Sequence, residues 1–454
     1  MRYLGGQNEL VMRLNHKPIN YQSKDQDNQF YHHFMPINPG NLKRELFLYP
    51  LAKSQMDKVR SQIVGVIQGL IKLGEWMILK PERLKLVGLE ELDNLAIKKR
   101  RQFNWFDYGR VDTILGNRGY ELIEVNAKRP QLYEEVSWLE KRLTGSLGKS
   151  VVQSQLVAKM IGTINNNYRE NYGQEPETIV IISSFLAYVA KSGIPYEMLK
   201  QLKIYFKNSK ILIIKFEDLD DFYQRLKIKQ NALLYDKDKI DLIIIKDMGE
   251  GEQSIFWGNG KIRNQVLARA YQMGIVELSN PPAAGLIGNK LALGVLKNPE
   301  IQSTIGLNPQ IVEALNIIPD SKVINSLEAI NNEWKDWMIK IPNIGSGFGV
   351  YAGKDMADDI NQRRKLIEDL QYGPALAQRM INFQKANVVK LDTGEVEMAW
   401  VTLDPFVVNS GRGRIEIPGC FSKAITKETK YQYPRFNPDN RREVWFGTAV
   451  EIEG

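Results

Sequence analysis

The sequence predicts an α/β fold that also carries α+β elements, and three observations predict it. Runs rich in β-branched residues at 178–182, 211–216 and 240–246 alternate with amphipathic stretches such as 196–202, the pattern of buried parallel strands joined by helical crossovers. A separate alternating stretch at 106–130, FDYGRVDTILGNRGYELIEVNAKRP, reverses at Gly116-Asn117-Arg118-Gly119 and so reads as an antiparallel hairpin outside the parallel unit. Ahead of it, Met56, Val59, Ile63, Ile67, Leu70 and Ile71 recur at helical spacing.

In chain order, residues 1–50 are rich in Asn, Gln, Pro and Gly without a sustained period, which gives loops with short strands and no assignable role. A helix follows from 51 to about 76 with Ser54 as its cap, and a second spans 88–101. Past the hairpin, 132–143 and 151–168 have helical spacing, and the polar connector 169–177 sets a boundary near 175. The first β-branched run is followed by Ser183-Ser184-Phe185-Leu186 without a glycine, so the dinucleotide phosphate loop is missing and the unit reads as a Rossmann-like, substrate-side domain. Glu277-Leu-Ser-Asn-Pro-Pro282 then stops the chain, Gly288-Asn289-Lys290 opens a helix to 296, and strands are predicted at 336–341, 375–383 and 397–408.

The hairpin carries the strongest chemical signal. Arg110 and Asp112 are two apart on one strand and Glu124 and Asn126 two apart on the other, so each pair shares a face and the turn sets the pairs opposite each other. Two carboxylates and an amide oxygen make an oxygen-only set suited to Mg²⁺, which takes one or two carboxylates and leaves its other positions to water and phosphate. Arg110 would oppose the anion beside that ion. Lys290, in the first turn of its helix, opposes the helix dipole unless it faces an anion. Lys340 ends a strand that leads into Gly345-Ser346-Gly347-Phe348-Gly349, a loop whose backbone N–H groups, with Ser346 and Gly347 at its centre, suit phosphate oxygens. Neither the G-x-G-x-x-G nor the G-x-x-x-x-G-K-[ST] spacing is present. A late glycine-flexed loop offers Arg412 and Arg414 to an anion.

Composition narrows the class. At 454 residues and 43% hydrophobic, the chain makes two or three domains, and with neither a long apolar run nor a signal peptide it is expected in the cytoplasm, without a membrane partner. One cysteine, Cys420, excludes disulfides and Cys-cluster metal sites; His16, His32 and His33 leave little for zinc or a His-based triad. The net charge of +8 is spread out, with Lys98-Lys99-Arg100-Arg101 as the compact block, and no aromatic-basic stripe supports a nucleic-acid partner.

The motif order is R-x-D, E-x-N, the run NPPAAGLIGNK from Asn280, a strand lysine with a glycine-rich loop, the AQRMI strand and a glycine-arginine loop. It resembles the circularly permuted ATP-grasp ligases, and most closely their glutathionylspermidine synthetase-like branch, over roughly 105–135 and 275–425. The resemblance implies ATP and Mg²⁺ as cofactors, with Asp112, Glu124 and Asn126 as magnesium ligands and Arg110 steadying an acyl phosphate. It implies Lys290 and Lys340 on the ATP phosphates under the 345–349 lid, and the backbone of Gln378, Arg379, Met380 and Ile381 on adenine. Arg414 is a candidate second catalytic arginine. Where the family tends to be acidic after the asparagine, this chain has Lys128 and Arg129, which points to an anionic substrate and away from a polyamine. The implied organisation is 1–175 with the metal hairpin of the core, 176–288 as the substrate-side domain and 289–454 as the nucleotide lid and remainder of the core. The implied reaction joins a small-molecule or peptide carboxylate to an amine; a small-molecule kinase and a non-catalytic nucleotide-binding relative are the alternatives.

Overall fold

The computed structural model describes residues 46–89, 104–127, 155–183, 197–246, 264–342, 349–390, 394–411, 413–426 and 444–452, with isolated positions between them. Strand β1 (Leu46–Ala52) runs directly into helix α1 (Lys53–Ile78). The helix buries the predicted stripe except Ile71, which is half-buried, but its N-cap is Ala52 with no side-chain hydrogen bond, so Ser54 does not cap it. Its glycines set the packing distance: a Cβ on Gly65 would lie 2.4 Å from Ala314 Cβ. Of the predicted helix at 88–101, residues 90–101 lie outside the described part; Pro81–Val87 is a 3₁₀ turn ended by Gly88. The hairpin is β2 (Tyr108–Gly116) and β3 (Gly119–Asn126), and α2 (Leu156–Tyr172) follows it.

The β-branched runs form the expected parallel sheet. Its strands are β4 (Thr178–Ile182), then β5 (Lys210–Ile214) after helix α3 (Glu197–Tyr205); helix α4 (Leu219–Arg225) leads to a small meander of β6 (Leu226–Lys229), β7 (Ala232–Tyr235) and β8 (Asp238–Ile240). The chain returns through β9 (Leu242–Ile245), α5 (Gln265–Met273) and β10 (Glu277–Ser279), giving the order β10-β9-β4-β5. The first half of the predicted stop at 277–282 is therefore a fourth parallel strand, too short for its apolar pattern to stand out.

Helix α6 (Lys290–Leu296) is buried along its whole length. An antiparallel sheet, β11-β14-β12-β13, is then built from β11 (Ser321–Ile324), β12 (Trp337–Lys340), β13 (Val350–Ala352) and, after helix α7 (Ile360–Gln371), β14 (Ala375–Arg379). The remaining strands, β15 (Lys385–Lys390), β16 (Val396–Asn409), β17 (Ile415–Ile425) and β18 (Val444–Ile452), join β1 and the hairpin in a seven-stranded sheet ordered β15-β1-β18-β17-β16-β2-β3.

Both faces of that large sheet are covered. Val111, Leu122, Val401, Leu403 and Val407 pack with α1 and α6 in one core. On the other face, Tyr108, Phe406, Val408, Phe421 and Ile425 pack with α2 and with Ile179, Ile181, Leu242 and Ile244 of the parallel sheet. Because side chains alternate along a strand, the residues between those apolar positions on the second face are where a polar site can sit. Among the described residues, no helix is long and apolar enough to cross a membrane.

Candidate functional site

The hairpin aligns its four polar residues as the spacing predicts. Arg110 pairs with Asn126 and Asp112 with Glu124, and the register then shifts at a bulge between Asp112 and Thr113. Arg110 grips Asp112 through Nε (2.7 Å) and an Nη (3.0 Å), and Asn126 Nδ2 donates to Asp112 Oδ1 at 3.2 Å. The turn is tied down beyond itself. Asn117 N donates to Asn382 O (3.2 Å), Gln384 N to Leu115 O (2.9 Å), and Gly116 bridges Phe383. A Cβ on Gly116 would lie 2.4 Å from Glu121 Oε1 and 2.6 Å from Ile381 Cγ2, so any larger residue would have to push both side chains aside.

Two charged residues with no assigned role in the sequence complete the face. β16 pairs with β2, which brings Asp404 and Thr402 beside Asp112, and Lys423 of β17 lies across from Thr402. Lys423 Nζ is 2.8 Å from Asp404 Oδ2 and 3.6 Å from Asp112 Oδ2. Asp404 is fully buried, and its Oδ1 has no hydrogen-bond partner. The available signal was a carboxylate inside an otherwise apolar strand, VTLDPFVV, where burying a charge is costly unless it is paired. Burial would push the Asp112 carboxyl up, but Arg110 and Lys423 outweigh it and hold it below the usual carboxylate range. For Asp404 burial wins, and the group is pushed up despite Lys423. Lys423 is raised: burial disfavours its charge, and Asp404 and Asp112 more than compensate.

The two predicted lysines come from the other side. Lys340 Nζ donates to Gln378 Oε1 (2.6 Å) and to Ile123 O on β3 (2.9 Å), so a lysine 217 residues away is anchored to the hairpin strand that carries Glu124. Burial lowers the Lys340 pKa to about 8; Glu124 opposes that shift and Lys290 adds to it. Lys290 is also buried, N-terminal in α6 behind the Asn289 cap, with Nζ 3.5 Å from Ile341 O. Gln378 sits between β11 and β12 in the ladder, its side chain turned to Lys340. Arg379 has the opposite parity: its guanidinium lies 5.2 Å from the Trp337 ring centroid and 3.5 Å from Asp336, away from Lys340. Arg379 N and Met380 N donate to Asp320 O and Asp336 O, and Ile381 packs toward Gly116.

Arg110, Asp112, Glu124, Asn126, Lys290, Lys340 and Gln378 are thus brought together. Arg414 is not: it is exposed in the β16–β17 turn, which packs toward Glu170 and Asn167 of α2, about 17 Å along the strands from Asp404 at 3.3 Å per residue. Lys128, Arg129, Ser346, Gly347 and Arg412 lie outside the described residues. Asn280 has a positional role. With φ at +54° its side chain accepts from Asp107 N (2.9 Å) and Tyr108 N (3.2 Å) and donates to Tyr108 O (3.0 Å), fastening the start of β2 to the parallel sheet.

Among the described residues, no three or more Asp, Glu, His or Cys side chains gather as a metal site. The paired Asp112 and Glu124 with Asn126 nevertheless fit Mg²⁺, a hard ion that needs only one or two carboxylates. No protein-family model matches the chain, and no curated protein does. Among solved structures it is similar to a glutathione synthetase-like effector from Globodera pallida, with TM-score 0.57, 15% identity and 92% of each chain covered. It is less similar to a protein described as a gamma-glutamylcysteine synthetase from Methylobacillus flagellatus (TM-score 0.40, 10% identity, 81% of this chain and 82% of that one). D-alanyl-alanine synthetase A from Vibrio cholerae matches with TM-score 0.30 and 14% identity over 61% of this chain and 74% of that one. The likeness to the first is one of fold.

Proposed function

We propose that this chain, whose fold is ATP-grasp-like, is an ATP-dependent carboxylate-amine ligase acting on small-molecule or peptide substrates in the cytoplasm, where ATP is supplied. The observation that carries the reading is the convergence of two buried lysines from β12 and α6 onto an oxygen-rich hairpin. Lys290 and Lys340 beside the carboxylates of Glu124 and Asp112 make a face that can hold a polyphosphate through its cations and the accompanying divalent ion through its carboxylates.

In this reading Lys290 and Lys340 hold the ATP phosphates, and Asp112, Glu124 and Asn126 would hold Mg²⁺, which when bound neutralises phosphate oxygens. A substrate carboxylate oxygen attacks the γ-phosphorus, the bond to the β-phosphate oxygen breaks, and an acyl phosphate and ADP result. The amine then attacks the acyl carbon and expels phosphate. Arg110 faces the charge that grows on the transferring phosphoryl oxygens, so its contribution is largest in the transition state. The enzyme supplies position and charge, since phosphoryl transfer asks little covalent chemistry of it.

The test is an ADP-release screen over pairs of carboxylic acids and amines, amino acids and short peptides included, with mass spectrometry of the products. Amide and phosphate formed together with ADP are expected. A stable phosphorylated product would make the protein a kinase, and nucleotide binding with no turnover on any pair would make it a non-catalytic relative.

A further inference from the structure

The Asp404–Lys423 pair does more than close a charge in the sheet, because its ammonium faces the last acceptor direction of the Asp112 carboxylate that no hydrogen bond fills. A carboxylate offers about four lone-pair directions. On Asp112, Oδ1 receives Arg110 Nε at 2.7 Å and Asn126 Nδ2 at 3.2 Å; Oδ2 receives an Arg110 Nη at 3.0 Å and faces Lys423 Nζ at 3.6 Å. Three of the four directions are hydrogen-bonded, so a metal ion meets Asp112 at the fourth or by displacing one of these groups. The loosest is Lys423, whose separation exceeds a hydrogen bond and which already has a closer partner in Asp404 at 2.8 Å.

Asp404 is built to keep that ammonium. It is fully buried, Thr402 Oγ1 lies 3.3 Å from its Oδ2, and the same hydroxyl accepts from Lys423 N at 3.1 Å, so carboxylate and lysine are fixed on neighbouring strands. The partnerless Asp404 Oδ1 leaves acceptor capacity for a second N–H of the lysine. Arg110, Glu124 and Asn126 complete the charged and polar groups named on this face.

We propose that Lys423 is a place-holder for the divalent ion: it and Mg²⁺ compete for Oδ2 of Asp112, and Asp404 retains the ammonium when the metal enters. Lys423 is thus a positioning residue, and it sets the order of events. A positive charge at the carboxylates disfavours a bare ion, so the metal enters with the nucleotide, whose phosphates offset the repulsion. The inference rests on the nucleotide-site reading above.

The experiment measures the Mg²⁺ concentration that half-saturates binding of a non-hydrolysable ATP analogue to the full chain. Lys423→Met removes the competitor and is expected to lower that concentration by about tenfold or more, as for loss of one unit charge about 4 Å from a divalent ion at a dielectric near that of water. Asp404→Asn weakens the hold that keeps the ammonium from Asp112 and should raise it. A purely structural ion pair would move both variants the same way, toward weaker binding and lower melting temperature, and that result overturns the proposal. If Lys423→Met does not fold, Lys423→Gln, which also removes the charge, takes its place: a lowered requirement supports the proposal, an unchanged or raised one overturns it. A wild-type chain that binds no analogue at any Mg²⁺ concentration overturns the nucleotide reading itself. Wild-type binding with unmoved variants overturns only the role of Lys423.

Discussion

Lys340 keeps its charge against burial, with two neutral oxygens, Gln378 Oε1 and Ile123 O, as its hydrogen-bond partners. With its pKa lowered to about 8, it is largely protonated at neutral pH and loses that proton a little above it. A bound phosphate favours the charged form and raises the pKa. ATP affinity is therefore expected to be nearly flat below pH 8 and to fall as pH rises beyond it, by up to about tenfold per unit, with a proton taken up on binding. Calorimetry of an ATP analogue between pH 7 and 9.5 in two buffers checks this, and Lys340→Met should weaken binding by about 2 to 4 kcal/mol and remove the dependence. Binding that is equally tight at pH 7 and 9.5 would show that Lys340 does not meet the phosphates. Glu124→Ala separates metal from fold: Mg²⁺-dependent nucleotide binding should be lost while circular dichroism and melting temperature stay near wild type. Retained Mg²⁺ dependence would remove Glu124 from the metal set.

Among elements, the hairpin is the one on which both halves of the site converge. Its turn is bonded to 382–384 and its start to Asn280. Gly116→Val should push Ile381 and the buried Glu121 side chain aside, weaken ATP-analogue binding and cost about 1 to 3 kcal/mol of stability; unchanged affinity would show that this contact does not shape the nucleotide site. Asn280→Ala strands two buried N–H groups and strains a left-handed position, at a cost of about 3 to 5 kcal/mol read from urea unfolding. A loss below 1 kcal/mol would mean that solvent replaces the clamp. Much of this was legible in advance. Arg110, Asp112, Glu124 and Asn126 announce their shared face by i, i+2 spacing around a turn, and the β-branched runs announce the parallel sheet. Asp404 and Lys423 could not be placed that way, since their meaning depends on β16 pairing with β2 some 290 residues earlier in the chain. Strand parity in β14, which turns Gln378 inward and Arg379 outward, was equally invisible before the ladder partners were known.

Across the whole molecule, the large sheet joins strands from opposite ends of the described chain: β1 lies between β15 and β18, pairing in parallel with β18 from Leu46 to Ala52. Phe47, Leu48, Tyr49 and Leu51 are buried there. Removing 441–454 should therefore yield insoluble or chaperone-bound protein, although every group of the candidate site is retained. A soluble, cooperatively melting truncation would show that β18 is dispensable. The same pairing sets a schedule for the nascent chain. At roughly 5 to 20 residues per second, about 20 to 80 s separate synthesis of β1 from that of its parallel partner almost 400 residues later. For most of that interval an apolar strand is out of the ribosome before either of its sheet neighbours, and its protection falls to the cell.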